Sequence, residues 1–138
     1  MTESLISKES LNSKIKKNQF PDLDYKCSEF LKYDEIRFVG LINSMGNLVS
    51  EASKEKDWVE SEEEKRMLSI QTVLQISMSK DFDNSLGETK YFATNRKNFL
   101  MVAISLKNYV LLIFAKPTLS VEEIISKVQV RGFFDSEI

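Results

Sequence analysis

The densest hydrophobic stretch of the chain is Phe99-Leu-Met-Val-Ala-Ile-Ser-Leu-Lys-Asn-Tyr-Val-Leu-Leu-Ile-Phe-Ala115, two apolar runs separated by Lys107 and Asn108. The run lengths, the β-branched Val102, Ile104, Val110 and Ile113, and the polar pair between them predict a β-hairpin with a two-residue turn. With Leu106 opposite Tyr109, Ile104/Leu111 and Val102/Ile113 share one face, while Ala103/Leu112 and Met101/Phe114 share the other. Both faces are apolar, so each requires cover by helices or by another subunit.

Upstream, residues 1–20 form a polar extension in which Lys14, Lys16 and Lys17 are either solvated or touch an acidic partner. Pro21 opens a helix whose apolar face carries Leu23, Cys27, Phe30 and Leu31, which makes Cys27 a core residue rather than a reactive thiol. Ile36 to Ile42 reads as a strand, with Ile36, Phe38 and Ile42 alternating against Arg37, Val39 and Leu41. Asn43-Ser-Met-Gly46 is a turn and Asn47 to Glu51 a return strand. The charged loop from Ala52 to Glu60 carries Trp58, as a cap on the core or as an interface anchor.

Ser61-Glu-Glu-Glu64 has capping-box spacing and starts a helix of about five turns. Met67, Ile70, Leu74, Met78 and Phe82 form its apolar stripe. Ile76 projects from nearly the opposite side, where it is either a lone exposed isoleucine or a contact of a helix sandwiched between its own sheet and a second subunit. Asp81-Phe-Asp-Asn-Ser-Leu-Gly87 spaces oxygen ligands like a calcium loop, but Leu86 and Phe92 occupy the positions that need glycine and glutamate. It reads instead as a helix-ending loop turned by Gly87. Glu88 to Thr94 is an edge strand, Asn95-Arg-Lys-Asn98 a turn, and Lys116-Pro-Thr118 a break. Ser120-Val-Glu-Glu123, a second capping box, opens a short helix with Val121, Ile124, Ile125 and Val128 on one face and Gly132 beyond its end. In the tail, 131–138, Phe133 and Phe134 either dock on the domain or meet a partner.

A chain of 138 residues suits a single domain, and 42% hydrophobic with 29% charged residues is ordinary for a soluble globular protein. The net charge of -2 gives no attraction to nucleic acid or anionic membrane, and Arg96 and Lys97 are too few for a nucleic-acid footprint. There is no charged-then-apolar leader and no apolar run long enough to span a bilayer, so a cytoplasmic protein without membrane insertion is expected. Cys27 is the only cysteine and there is no histidine, which removes disulfides, thiolate clusters and the usual base of hydrolases. The pairs Asp81/Asp83 and Glu60/Glu64 read as a solvated loop and a charged helix start, and no glycine-rich phosphate loop with its lysine is present. The expectation is a protein without catalytic residues, cofactor or metal.

The element order, αββαβββα over residues 21–130, resembles the roadblock family (dynein light chain roadblock type), and more specifically its archaeal members. Ile36-Arg-Phe-Val-Gly-Leu-Ile-Asn-Ser-Met-Gly-Asn-Leu-Val49 looks like the family's opening strand, turn and return strand. Tyr109-Val-Leu-Leu-Ile-Phe-Ala-Lys-Pro and the final helix are similar to its closing segment. The resemblance implies an α+β fold of roadblock/profilin-like layout: a five-stranded antiparallel sheet with the first and last helices on one face and the middle helix on the other. It further implies a homodimer in which middle helices and edge strands of two subunits meet, with Met67, Ile70, Leu74, Met78, Tyr91 and Phe92 at the dimer interface. Family members are non-enzymatic scaffolds that often bind small Ras-like GTPases. A second reading is a small-molecule-binding sensor of profilin-like or PAS-like layout, which requires a cavity with converging polar groups.

Overall fold

The computed structural model describes residues 21–55 and 59–130. The sequence expectations for the N-terminal extension, Trp58 and the tail lie outside these residues. In chain order the elements are α1 (Pro21–Glu29), a 3-10 turn (Phe30–Lys32), β1 (Ile36–Asn43), β2 (Leu48–Ser53) and α2 (Glu62–Ser79). A second 3-10 turn (Lys80–Phe82) leads into the short helix α3 (Asp83–Leu86), then β3 (Tyr91–Asn95), β4 (Leu100–Ser105), β5 (Tyr109–Ala115) and α4 (Val121–Val130).

The strands form one antiparallel sheet in the order β2-β1-β5-β4-β3. The β4–β5 hairpin has the register the apolar pattern predicts: Ile104 faces Leu111, Val102 faces Ile113, Ala103 faces Leu112 and Met101 faces Phe114. Leu106 N–H donates to the Tyr109 carbonyl across the turn at 2.9 Å. The two faces then feed two cores. On one side Val102, Ile104, Leu111 and Ile113 pack with Cys27 and Phe30 from the α1 end, and with Ile124 and Val128 of α4. On the other, Ala103, Leu112 and Phe114 pack with Phe38, Ile42 and, from α2, Ile76. The division of helices, two against one, is therefore as expected.

One strand departs from strict alternation. Ile36 was expected on the same face as Phe38 and Ile42, yet it belongs to the α1/α4 core with Val39 and Leu41. The β1–β5 register shifts between Ile36 and Phe38, and an extra residue in a ladder reverses the facing of everything before it. Arg37, at that irregularity, reaches Glu55 instead, with Nε 3.1 Å from Oε1.

The remaining local structure follows from caps and turns. Ser61 Oγ accepts the Glu64 N–H at 3.1 Å and starts α2, whose first turn carries Glu62, Glu63 and Glu64 at the positive end of the helix dipole. Before α4 the capping box is reciprocal: Ser120 Oγ accepts from Glu123 N–H at 3.2 Å, and Glu123 Oε1 accepts from Ser120 N–H at 3.4 Å. The segment read as a helix-ending loop, Asp81 to Gly87, is instead a 3-10 turn and the short helix α3. Four residues are too few for a periodic pattern to reveal. Gly87, at φ +86, stops it as predicted.

Beneath α1, the Ser50 hydroxyl donates to the Asp24 carboxylate and lies 3.7 Å from Cys27 Sγ. Cys27 is fully buried and desolvation pushes its thiol up to about 12, the behaviour of a core residue and not of a nucleophile.

In the β1–β2 turn, Asn43 Oδ1 accepts the N–H groups of Met45 and Asn47, each at 3.0 Å. Gly46 sits at φ +85, and a Cβ there would lie 3.2 Å from the Ile70 Cα of α2. Gly87 has the same φ but open space around it. Gly87→Ala is therefore expected to cost about 1 kcal/mol from backbone strain alone. Gly46→Ala should cost more, about 2–3 kcal/mol, because it also displaces α2. Urea unfolding of both variants checks the order.

Candidate interaction surface

The middle helix decides which surface is left uncovered. Among its residues Ser69, Thr72 and Ile76 are buried, with Leu68 and Val73 partly so, and these form the face turned to the sheet. Ile76, only 4% exposed, is thus a core residue and not a lone exposed isoleucine, which leaves the other expectation, a helix with one face on its own sheet. The physical reason is complementarity of size. The sheet offers Phe38, Leu112 and Phe114 on this side, and bulky rings accept a helix face of small residues with one branched side chain among them. Burying hydroxyls there leaves no orphan donor, because Ser69 Oγ donates to the Lys65 carbonyl at 3.0 Å and Thr72 Oγ1 to the Leu68 carbonyl at 2.8 Å.

The conspicuous apolar stripe consequently points outward. Met67 is 49% exposed, Leu74 53% and Met78 69%, and Ile70 lies between them on the same side. Phe82 and Leu86, past the end of α2, are exposed as well. Leu86 escaped the sequence reading because it follows no helical period. Met45, in the β1–β2 turn, is also exposed. Lys65 anchors the start of the helix, its Nζ 2.6 Å from Glu51 of β2.

Beside this stripe the sheet is incompletely covered. Phe92, Phe99 and Met101 on the α2 side are only partly buried. A groove of about 290 Å³ runs between α2 and Phe99 and Met101, lined by Met67, Leu68 and Phe114 among others. Phe99 and Phe38 each pack on Phe114, with centroids 5.6 and 5.1 Å away, so the groove opens directly onto the core. Next to β4 in the sheet lies β3, an edge strand with β4 as its one neighbour. Tyr91-Phe-Ala-Thr-Asn95 contains no charge and no proline, and its pairing with β4 shows no bulge, so the devices that usually blunt an exposed edge are missing from the strand. Of the six residues the resemblance assigns to an interface, Met67, Ile70, Leu74 and Met78 share one helix face, and Phe92 lies on the same side of the sheet. Tyr91 pairs with Ile104 and so lies on the opposite face, although on the same edge.

Elsewhere, among the described residues, several titratable groups form ion pairs. Lys116 Nζ, 3.0 Å from Asp34, holds that exposed carboxyl below its usual range. Desolvation lowers the Lys54 ammonium, whose Nζ donates to the Tyr33 carbonyl at 2.6 Å. Among the described residues no three acidic or cysteine side chains converge as a metal site requires, and no helix is long and apolar enough to cross a membrane.

This architecture is that of the roadblock/LC7 domains. Myxococcus xanthus MglB superposes with a TM-score of 0.67 at 14% identity, over 81% of this chain and 89% of that one. The roadblock/LC7 domain from Streptomyces avermitilis gives 0.63 at 9% identity, over 78% and 89%. A structure described as MglB with tetrameric arrangement gives 0.62 at 10% identity, over 80% and 82%. At such identities the likeness is one of fold. By sequence, residues 14–132 match the model of DUF6659, a family of unknown function, and the chain belongs to that family. Comparison with curated proteins gives no match.

Truncating the inward residue and an outward one separates the two helix faces. Ile76→Ala is expected to lower stability by about 2–4 kcal/mol. Met78→Ala, on the outward side, should stay within about 0.5 kcal/mol in a dilute sample. Denaturant titration of the two variants measures this, and equal losses would contradict the orientation of α2.

Proposed function

We propose that this chain is a non-enzymatic scaffold that self-associates through α2 and the β3 edge, and that the resulting dimer binds or regulates a small Ras-like GTPase, as the resemblance to roadblock proteins, the archaeal ones in particular, implies. The observation that carries the reading is the outward stripe Met67–Ile70–Leu74–Met78 lying beside an uncharged, unbulged edge strand. A second copy related by a twofold axis covers both features at once, since the stripe is its own complement and β3 finds a pairing partner in β3. Antiparallel packing of the two α2 helices separates their acidic first turns, Glu62 to Glu64, whereas parallel packing juxtaposes them. The tetrameric arrangement of one structural neighbour, an MglB, is in keeping with this reading.

The GTPase half of the reading is supported by the roadblock resemblance and by a surface that is built for contact. Two apolar methionines in the stripe suit it to repacking against a partner.

Sedimentation equilibrium at micromolar concentration should give twice the chain mass of 15.9 kDa, and Leu74→Glu should give a folded monomer by circular dichroism. A wild-type monomer contradicts the self-association. Affinity capture from the native organism, with and without a non-hydrolysable GTP analogue, tests the second half: recovery of a GTPase in one nucleotide state is expected, and none in either state argues for a purely structural scaffold.

A further inference from the structure

At the end of the sheet that carries the β1–β2 and β4–β5 turns lies a cleft of about 320 Å³ between those turns and the last part of α2. Its floor is apolar, made by Ile42, Ile76 and Val110, and around it stand hydrogen-bonding side chains together with Val73 and Leu106. No carboxylate lines it, in a chain whose acidic residues outnumber its basic ones by 21 to 19. Two lysines do, Lys80 and Lys107, and among the described residues neither is within ion-pair distance of an acidic side chain. Asn43 spends its Oδ1 on the N–H groups of Met45 and Asn47, which leaves only its amide nitrogen, a donor, for another molecule. Ser44 and Ser77 add hydroxyls.

We propose that this cleft binds a small phosphorylated metabolite, its phosphate held by Lys80, Lys107 and the Asn43 amide, and its carbon body resting on Ile42, Ile76 and Val110. Lys80, Lys107 and Asn43 line one cleft and between them carry more donors than the two oxygens of a carboxylate can use. A phosphate monoester offers three strong acceptor oxygens and about two negative charges, which match two ammonium groups and a neutral donor. The C-terminus of α2 opposes an anion at this end, but its partial charge is about half an elementary charge, against two full charges on the lysines. An apolar floor distinguishes an ester from free phosphate, because inorganic phosphate has nothing to place on Ile42 and Ile76. The site is separate from the proposed self-association surface: Met67, Leu74 and Met78 do not line it.

Titration of the full chain with glycerol 3-phosphate, followed by amide chemical shifts, should give saturable changes centred on Asn43, Ser44, Ser77 and Lys107. Inorganic phosphate should bind the same residues several-fold more weakly, and glycerol should not bind. The double variant K80Q/K107Q alters only exposed side chains, so it should keep its melting temperature while affinity falls about tenfold or more. Leu74→Glu should bind like the wild type, which separates this site from the dimer. Absence of saturable shifts in the millimolar range, shifts centred on other residues, or unchanged affinity in K80Q/K107Q would overturn the proposal. Equal affinity for inorganic phosphate would overturn the role of the apolar floor.

Discussion

Everything in this fold answers to a sheet that is apolar on both sides. Val102, Ile104, Leu111 and Ile113 on one face, and Ala103, Leu112 and Phe114 on the other, leave neither face fit for water. The first face is closed by α1 and α4 together. The second has α2 alone, and a single helix spans only part of a five-stranded sheet. Phe92, Phe99 and Met101 stay half-covered as a result. The incompleteness is local, bordered by an edge strand that nothing within β3 protects, and it lies beside the outward apolar face of α2.

The orientation of α2 gives that incompleteness its meaning. A helix optimised to cover its own sheet alone would turn Met67, Leu74 and Met78 inward. This one turns Ser69, Thr72 and Ile76 inward, satisfies the two hydroxyls on its own carbonyls, and keeps the larger apolar residues outside. The exposed apolar side chains cost solubility and gain nothing in an isolated subunit, which is the physical content of the dimer proposal. The GTPase assignment stands one step further out, on the likeness to roadblock proteins.

Much of this was legible in the sequence. The β4–β5 register could be read because strand side chains alternate strictly and a two-residue turn fixes the phase. The capping boxes at Ser61 and Ser120 marked the helix starts through chemistry local to each. Ile36 was assigned to the wrong face because a ladder irregularity leaves no trace in an alternating pattern. Ile76 could not be placed between exposure and contact, because periodicity locates the apolar side of a helix but not what covers it. When the sheet supplies the bulk, serine and threonine can be the inward face. The cleft with Lys80 and Lys107 could not have been found, since its walls come from the β1–β2 turn, the end of α2 and the β4–β5 turn, segments that only the folded sheet brings together.

If two copies join their sheets, the backbone N–H groups on the outer edge of β3 pass from water into a strand ladder. Amide hydrogen exchange at Tyr91–Asn95, measured across a range of protein concentrations, reads that change directly. The account predicts exchange that slows at these residues as concentration rises, while the edge of β2, flanked by α1, is unaffected. Concentration-independent exchange at β3 would contradict it.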